Sequence, residues 1–182
     1  MKRLRLFFGI PLDEEVKGKI FNFLKKQGLF KKNYKWVARE NYHITLKFLG
    51  EVEEKYLKEL FEIGERVSYR FKEFTASTGE FSGFPTKKRA RVFFLDLKDK
   101  SKFKEVFNEL ERELVKLNFE KESREYHPHI TLARIKGFES LPDLNSLILD
   151  LKVEGFALYE SILRSEGPLY KILRFFPFGR EK

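Results

Sequence analysis

The hydrophobic positions change period along the chain, and each change marks an element. Residues 3–10, RLRLFFGI, alternate well enough to predict a first strand. Pro11, Leu12 and Asp13 follow as a cap, and Val16, Ile20, Phe23 and Leu24 then recur on one stripe of a helix over 13–27. A short strand is expected at 35–38 and a longer one at 42–49, closed by Gly50. Leu57, Leu60, Phe61 and Gly64 return to helical spacing over 53–67. Strands at 71–81 and 91–97 flank SGFPTKKRA, whose Gly83, Pro85 and basic run predict an exposed loop. A third helix at 101–117 buries Phe103, Val106, Phe107, Leu110 and Leu114, and further strands are expected at 128–135, 151–163 and 169–176. Many connections are too short for parallel crossovers, so the chain reads as α+β with mostly antiparallel sheet.

One phrase in this pattern occurs twice. His43-Ile44-Thr45-Leu46 returns letter for letter as His129-Ile130-Thr131-Leu132, 86 positions later and again on an expected strand. Each copy follows a polar approach, ARENY or KESREY, and runs on into a basic residue, Lys47 or Arg134. No linker or low-complexity tract divides the 182 residues. One compact unit over 1–182 is expected, made of two related lobes with one copy of the phrase in each.

Composition narrows the chemistry. With 42% hydrophobic residues and 21 Phe, the chain can build a core without metal or disulfide staples. The absence of cysteine removes disulfides, thiolate metal sites and cysteine nucleophiles together, and a cytoplasmic location fits that usage. The apolar run near the start stops at Pro11 and Asp13, too soon for a signal peptide, and no segment is apolar for long enough to span a membrane. A net charge of +9 and a pI near 9.5 suit a polyanionic partner such as RNA. The charged content of 36%, with one Met, resembles a heat-adapted composition. A monomer is expected.

On a strand, residues i and i+2 point the same way. His43 therefore projects with Thr45, and His129 with Thr131, while Ile44, Leu46, Ile130 and Leu132 face apolar packing. Were the two strands neighbours, two imidazoles and two hydroxyls would converge. A histidine pair can divide the roles of general acid and general base near neutral pH, and hydroxyls can donate to phosphoryl oxygens. With no carboxylate nearby, the set describes phosphate-ester chemistry without metal or cofactor. Arg134 stands five residues after His129 and could grip a phosphate bidentately. His127 is spaced from His129 as a metal ligand could be, but no ligand cluster follows, and Pro128 more simply marks an edge strand.

These stretches resemble a known family. NYHITLKFLGEV and YHPHITLARIKG are similar to the two signature motifs of the 2H phosphoesterases, most closely to the RNA 2',3'-cyclic phosphodiesterases of bacteria and archaea, historically called 2'-5' RNA ligases. RLFFGIPL, GEFSGFPTKKRARVFF and ALYESILRSEGPLYKIL extend the similarity over nearly the whole chain. The resemblance implies a bilobal α+β fold of two antiparallel sheets related by a pseudo-twofold axis, with helices outside and a groove between. It also implies His129 as base and His43 as acid, Thr45 and Thr131 as phosphate-binding partners, Arg134 beside the phosphate and Phe48 stacked on the terminal base. By alternation alone Phe48 falls on the Leu46 side, and only a bulge or a strand end would turn it outward. The implied reaction is hydrolysis of an RNA 2',3'-cyclic phosphate to a 2'-phosphate. Beside it stand 2'-5' ligation at the same site and a non-catalytic RNA-end binder that uses Lys31, Lys32, Lys35, Lys87, Lys88, Arg89 and Arg91. A metal-dependent phosphoesterase is a further reading, weakened by the missing ligands.

Overall fold

In the computed structural model, which describes residues 1–179, β1 (Arg3–Pro11) leads into α1 (Glu14–Lys26). β2 (Lys35–Trp36) and β3 (His43–Glu53) precede α2 (Leu57–Tyr69), and β4 (Phe74–Pro85) and β5 (Ala90–Leu97) precede α3 (Ser101–Val115). β6 (His129–Glu139), β7 (Asp150–Val153), β8 (Gly155–Ile162) and β9 (Leu169–Pro177) follow. A 3-10 turn at Glu54–Tyr56 takes the place of the first turn expected of the second helix. Among the described residues no helix is long and apolar enough to cross a membrane.

The fold is α+β, with every strand pairing antiparallel in the order β7-β4-β5-β6-β3-β1-β8-β9 and β2 against β6. The two sheets implied by the family resemblance are two halves of one continuous sheet. They meet in the middle, where β3 and β6 pair through Ile44 and Ile130. The helices cover one face of it. Ile20 and Leu24 of α1, Leu60 and Val67 of α2 and Phe103 and Leu110 of α3 pack there in a single core with Ile44, Leu46, Ile130 and Leu132. Each such side chain is worth roughly 1.5–3 kcal/mol when buried, so docking on the sheet, more than intrinsic propensity, holds the helices in place. The opposite face carries a small aromatic cluster of Phe7, Ala157 and Tyr159, with Tyr170 packed against it.

Two expectations from the sequence are corrected. The single strand at 151–163 is two strands, because the chain crosses at Glu154 from one half of the sheet to the other: β7 pairs with β4, and β8 with β1 and β9. In β7 Leu151 and Val153 are buried between exposed Asp150 and Lys152, and β8 is buried almost throughout, so the apolar alternation carries across the crossing without a visible break. Gly155 is the local mark of it, since a Cβ there would collide with the backbone of Phe176 on β9. The exposed loop at 82–90 is also shorter than expected. β4 runs through Pro85, and Phe84 stacks on Phe94 of β5 at 4.3 Å.

β3 and β6 share one irregularity. Against β1, Phe8 pairs with Lys47 and Gly9 with Thr45, so Leu46 is passed over; against β5, Phe93 pairs with Ala133 and Phe94 with Thr131, so Leu132 is passed over. Each repeated phrase thus ends in a bulge, which shifts the alternation by one residue. Leu46 and Lys47 are buried together, as are Leu132 and Ala133. The next residue in each strand, Phe48 or Arg134, turns to the other face and is exposed.

Candidate active site

The pairing of Ile44 with Ile130 sets the geometry of the face beneath the groove. Carried one residue in each direction, the antiparallel register puts His43 across from Thr131 and Thr45 across from His129. The four residues predicted to converge are therefore neighbours in a two-by-two array. Thr45, Phe48, His129 and Arg134 help to line a groove of about 1180 Å³, together with Phe84 and Arg91. Phe48, 50% exposed, stands on this side rather than with Leu46. Lys47 is among the residues that line the groove, but its ammonium is buried in an ion pair with Glu111 of α3. Lys31, Lys32 and Lys35 are exposed, with Lys35 directly opposite Arg134 in the register of β2 and β6.

The two imidazoles are held alike. His43 Nδ1 lies 2.7 Å from the carbonyl of Asn41, and His129 Nδ1 lies 2.6 Å from that of His127. A carbonyl can only accept, so Nδ1 carries the hydrogen in both rings and each Nε2 is left to exchange a proton. The Thr45 hydroxyl meets His43 Nε2 at 2.8 Å, donating to it while the ring is neutral. Asn41 is in turn fixed by its side chain, which donates to the Pro168 carbonyl at 2.8 Å and accepts from Tyr170 N at 3.4 Å.

Aromatic rings wall both histidines. Phe7, stacked on Tyr159 at 4.8 Å, lies 5.0 Å from His43, and Tyr170 meets the same imidazole edge-on at 5.2 Å. Phe84 and Phe94 lie 5.0 and 4.9 Å from His129. Burial among these rings penalises the imidazolium. It pulls His43 down to about 4, despite the opposing effect of the Asn41 carbonyl, with His129 and Lys17 adding positive charge nearby. His129 is lowered for the same reason, offset by the His127 carbonyl and by Asp96.

Gly9 makes room beneath His43. A Cβ there would stand 3.2 Å from His43 Cδ2 and 3.1 Å from the Ile44 carbonyl. Gly9→Ala is accordingly expected to tilt the ring and lower kcat by about tenfold or more, since small displacements of a proton-transfer group are costly. Steady-state kinetics beside a thermal melt would check this: an unchanged kcat would mean that the neighbours yield.

Several residues of the site are absent from the sequence reading. Asp96 pairs in register with His129, and its Oδ1 lies 3.1 Å from His127 Nε2, so a carboxylate does stand nearby, contrary to expectation. It is already engaged by Leu97 N at 2.8 Å and Lys100 Nζ at 3.2 Å. Among the described residues no three His, Cys, Asp or Glu are grouped as metal ligands. Tyr126 donates to the Thr45 carbonyl at 2.7 Å and stacks on Phe107 at 4.4 Å, fixing the loop before β6 to β3. The Phe-rich strands carried a general hint of the ring walls, but only the strand order shows which rings meet a histidine.

The sequence model of the family described as LigT like Phosphoesterase matches residues 10–94 and, separately, 95–170, one histidine phrase in each match. The chain belongs to the LigT-like phosphoesterases. Among relatives of this 2H phosphoesterase family, the RNA 2',3'-cyclic phosphodiesterase of Aeropyrum pernix is 39% identical over 149 residues, covering 76% of this chain and 83% of the relative. The protein of the same name from Thermotoga maritima is 33% identical over 177 residues, 93% of either chain. A crystal structure from Thermus thermophilus superposes with a TM-score of 0.84 at 30% identity, covering 98% of this chain and 100% of that one. Escherichia coli LigT in its apo form shares the fold, with a TM-score of 0.84 at 24% identity over 99% of this chain and 100% of its own. The chain is thus a phosphoesterase, and the non-catalytic binder is set aside.

Proposed function

We propose that this LigT-like phosphoesterase hydrolyses 2',3'-cyclic phosphate ends of RNA to 2'-phosphates by metal-independent acid–base catalysis between His43 and His129. The observation that carries this reading is the matched pair of imidazoles. Each Nδ1 is committed to a backbone carbonyl, which leaves each Nε2 for proton transfer. Thr45 and Arg134 line the groove with His129, and the register of Ile44 with Ile130 puts Thr131 across from His43. The names of the relatives from A. pernix and T. maritima support the substrate class.

In this mechanism His129 Nε2 takes a proton from water as the water oxygen bonds to phosphorus. The bond from phosphorus to O3' breaks, and His43 Nε2, protonated, delivers its proton to O3'. Thr45, Thr131 and Arg134 hold the phosphoryl oxygens, where negative charge gathers. Phe48 offers a ring for the terminal base. The division into acid and base follows the family resemblance. Ligation would use the same array with an RNA 5'-hydroxyl in place of water, and a groove open to solvent favours water.

The test is incubation with a short RNA ending in a 2',3'-cyclic phosphate, in EDTA, with identification of the product end. Turnover to a 2'-phosphate is expected. Activity abolished by EDTA and restored by a divalent cation would defeat the metal-independent mechanism.

A pH dependence follows from the lowered histidines. The reaction needs one ring neutral and the other protonated, a state whose population peaks between the two pKa values. Both lie below 6.5 in the empty groove, with His43 at about 4, so kcat/KM, which reports the free enzyme, should peak on the acid side of neutrality. An anionic phosphate between the rings favours the imidazolium and raises both values, so kcat should peak at higher pH. Two profiles with one shared optimum above neutrality would contradict this.

A further inference from the structure

The groove does not end at Arg134. β6 continues to Phe138, a ring 48% exposed, over which Arg89 and Arg91 lie at 4.5 and 5.3 Å from the centroid. Arg91 also lines the groove alongside Arg134 and His129, so the two surfaces share a wall. Arg89 and Arg91 are themselves exposed, and neither has a carboxylate partner among the described residues. Lys88 lies in the same turn, and Lys87 pairs with Glu80 at 3.9 Å.

A half-exposed ring with unpaired guanidinium groups packed over it joins stacking surface to positive charge, the combination by which proteins hold single strands: the ring and the guanidinium planes take a base and the charges take the phosphates around it. A purely structural clip between the β4–β5 turn and β6 would need only one such cation. Two of them, with further basic residues beyond and the groove on one side, make a continuous cationic track. We propose that Phe138, Arg89 and Arg91 form a second nucleotide-binding site, a ledge that holds the base and phosphate preceding the reacting end of an RNA strand. The ledge rests on the proposal that the groove takes an RNA end, and it gives this enzyme a preference for oligonucleotides over free cyclic nucleotides.

The test compares two substrates. A 2',3'-cyclic mononucleotide reaches only the groove, whereas a cyclic-ended tetranucleotide reaches the ledge as well. Phe138→Ala is expected to raise KM for the tetranucleotide about tenfold, the worth of one base stacked on a ring, and to leave kcat and KM for the mononucleotide unchanged. Phe138→Trp should retain tetranucleotide affinity. Arg89→Ala should weaken tetranucleotide binding and reduce its salt slope by about one counterion. Unaltered mononucleotide turnover certifies that each variant is folded. If Phe138→Ala shifts both substrates equally, or neither, the ledge is wrong. If the wild type turns over neither substrate, the RNA-end function fails and the ledge fails with it.

Discussion

Replacing His43 or His129 with alanine is expected to lower kcat by about 10²–10⁴-fold, the usual worth of a positioned general acid or base. KM should change only a few-fold, because under the proposed mechanism Thr45, Thr131 and Arg134 still hold the phosphate. The double variant should lose little more than the worse single one, since a proton relay that lacks either member has already failed. His127→Ala is the informative control. The His127 ring bonds Asp96 at 3.1 Å and lies 5.9 Å from the His129 ring, while the hydrogen bond that orients His129, at 2.6 Å, comes from the His127 backbone carbonyl. Alanine keeps that carbonyl, so the variant should retain kcat within about fivefold. A His127 variant as damaged as His129→Ala would move the proton chemistry onto the wrong ring and sink the two-histidine mechanism. RNA binding and thermal unfolding of each variant, measured beside kcat, separate lost chemistry from lost fold.

Local physics made much of this legible in the sequence. The stripe of Phe103, Val106, Leu110 and Leu114 fixes the third helix within a few residues of its observed end, because helical burial is periodic and short-range. The two histidine phrases announced a site because a repeat drawn from three histidines is hard to read as packing. What stayed hidden depends on pairing between distant strands. Nothing near Leu46 or Leu132 shows that each is passed over in the register, yet those bulges put Phe48 in the groove and Lys47 in the core. The break at Glu154 was likewise invisible, since buried Leu151 and Val153 before it and the buried run of β8 after it read as one strand. Asp96 and Phe94 reach His129 only because β5 lies beside β6, a neighbour relation set by topology rather than by composition.

Lys47 carries the second large effect, on stability. Its Nζ lies 2.5 Å from Glu111 Oε1, with side-chain exposures of 8% and 7%, and donates to the Glu120 carbonyl at 2.8 Å. Glu111 Oε2 accepts from Glu122 N at 2.8 Å. The pair therefore pins the chain between α3 and β6 at two points, just before Tyr126, whose hydroxyl bonds Thr45, and His127, whose carbonyl orients His129. Lys47→Ala leaves the Glu111 carboxylate buried without its cation and should cost about 3–5 kcal/mol in unfolding free energy. Lys47→Met combined with Glu111→Leu removes both charges while filling similar volume, and should recover most of that loss. It cannot restore the hydrogen bonds to Glu120 and Glu122, so kcat should remain depressed in the double variant even where stability returns. Denaturant unfolding and kcat, measured on the wild type, Lys47→Ala, Lys47→Met, Glu111→Leu and the double variant, separate the two effects. A single-variant cost below about 1 kcal/mol would mean that water reaches Glu111 and that the pair is not what holds the loop.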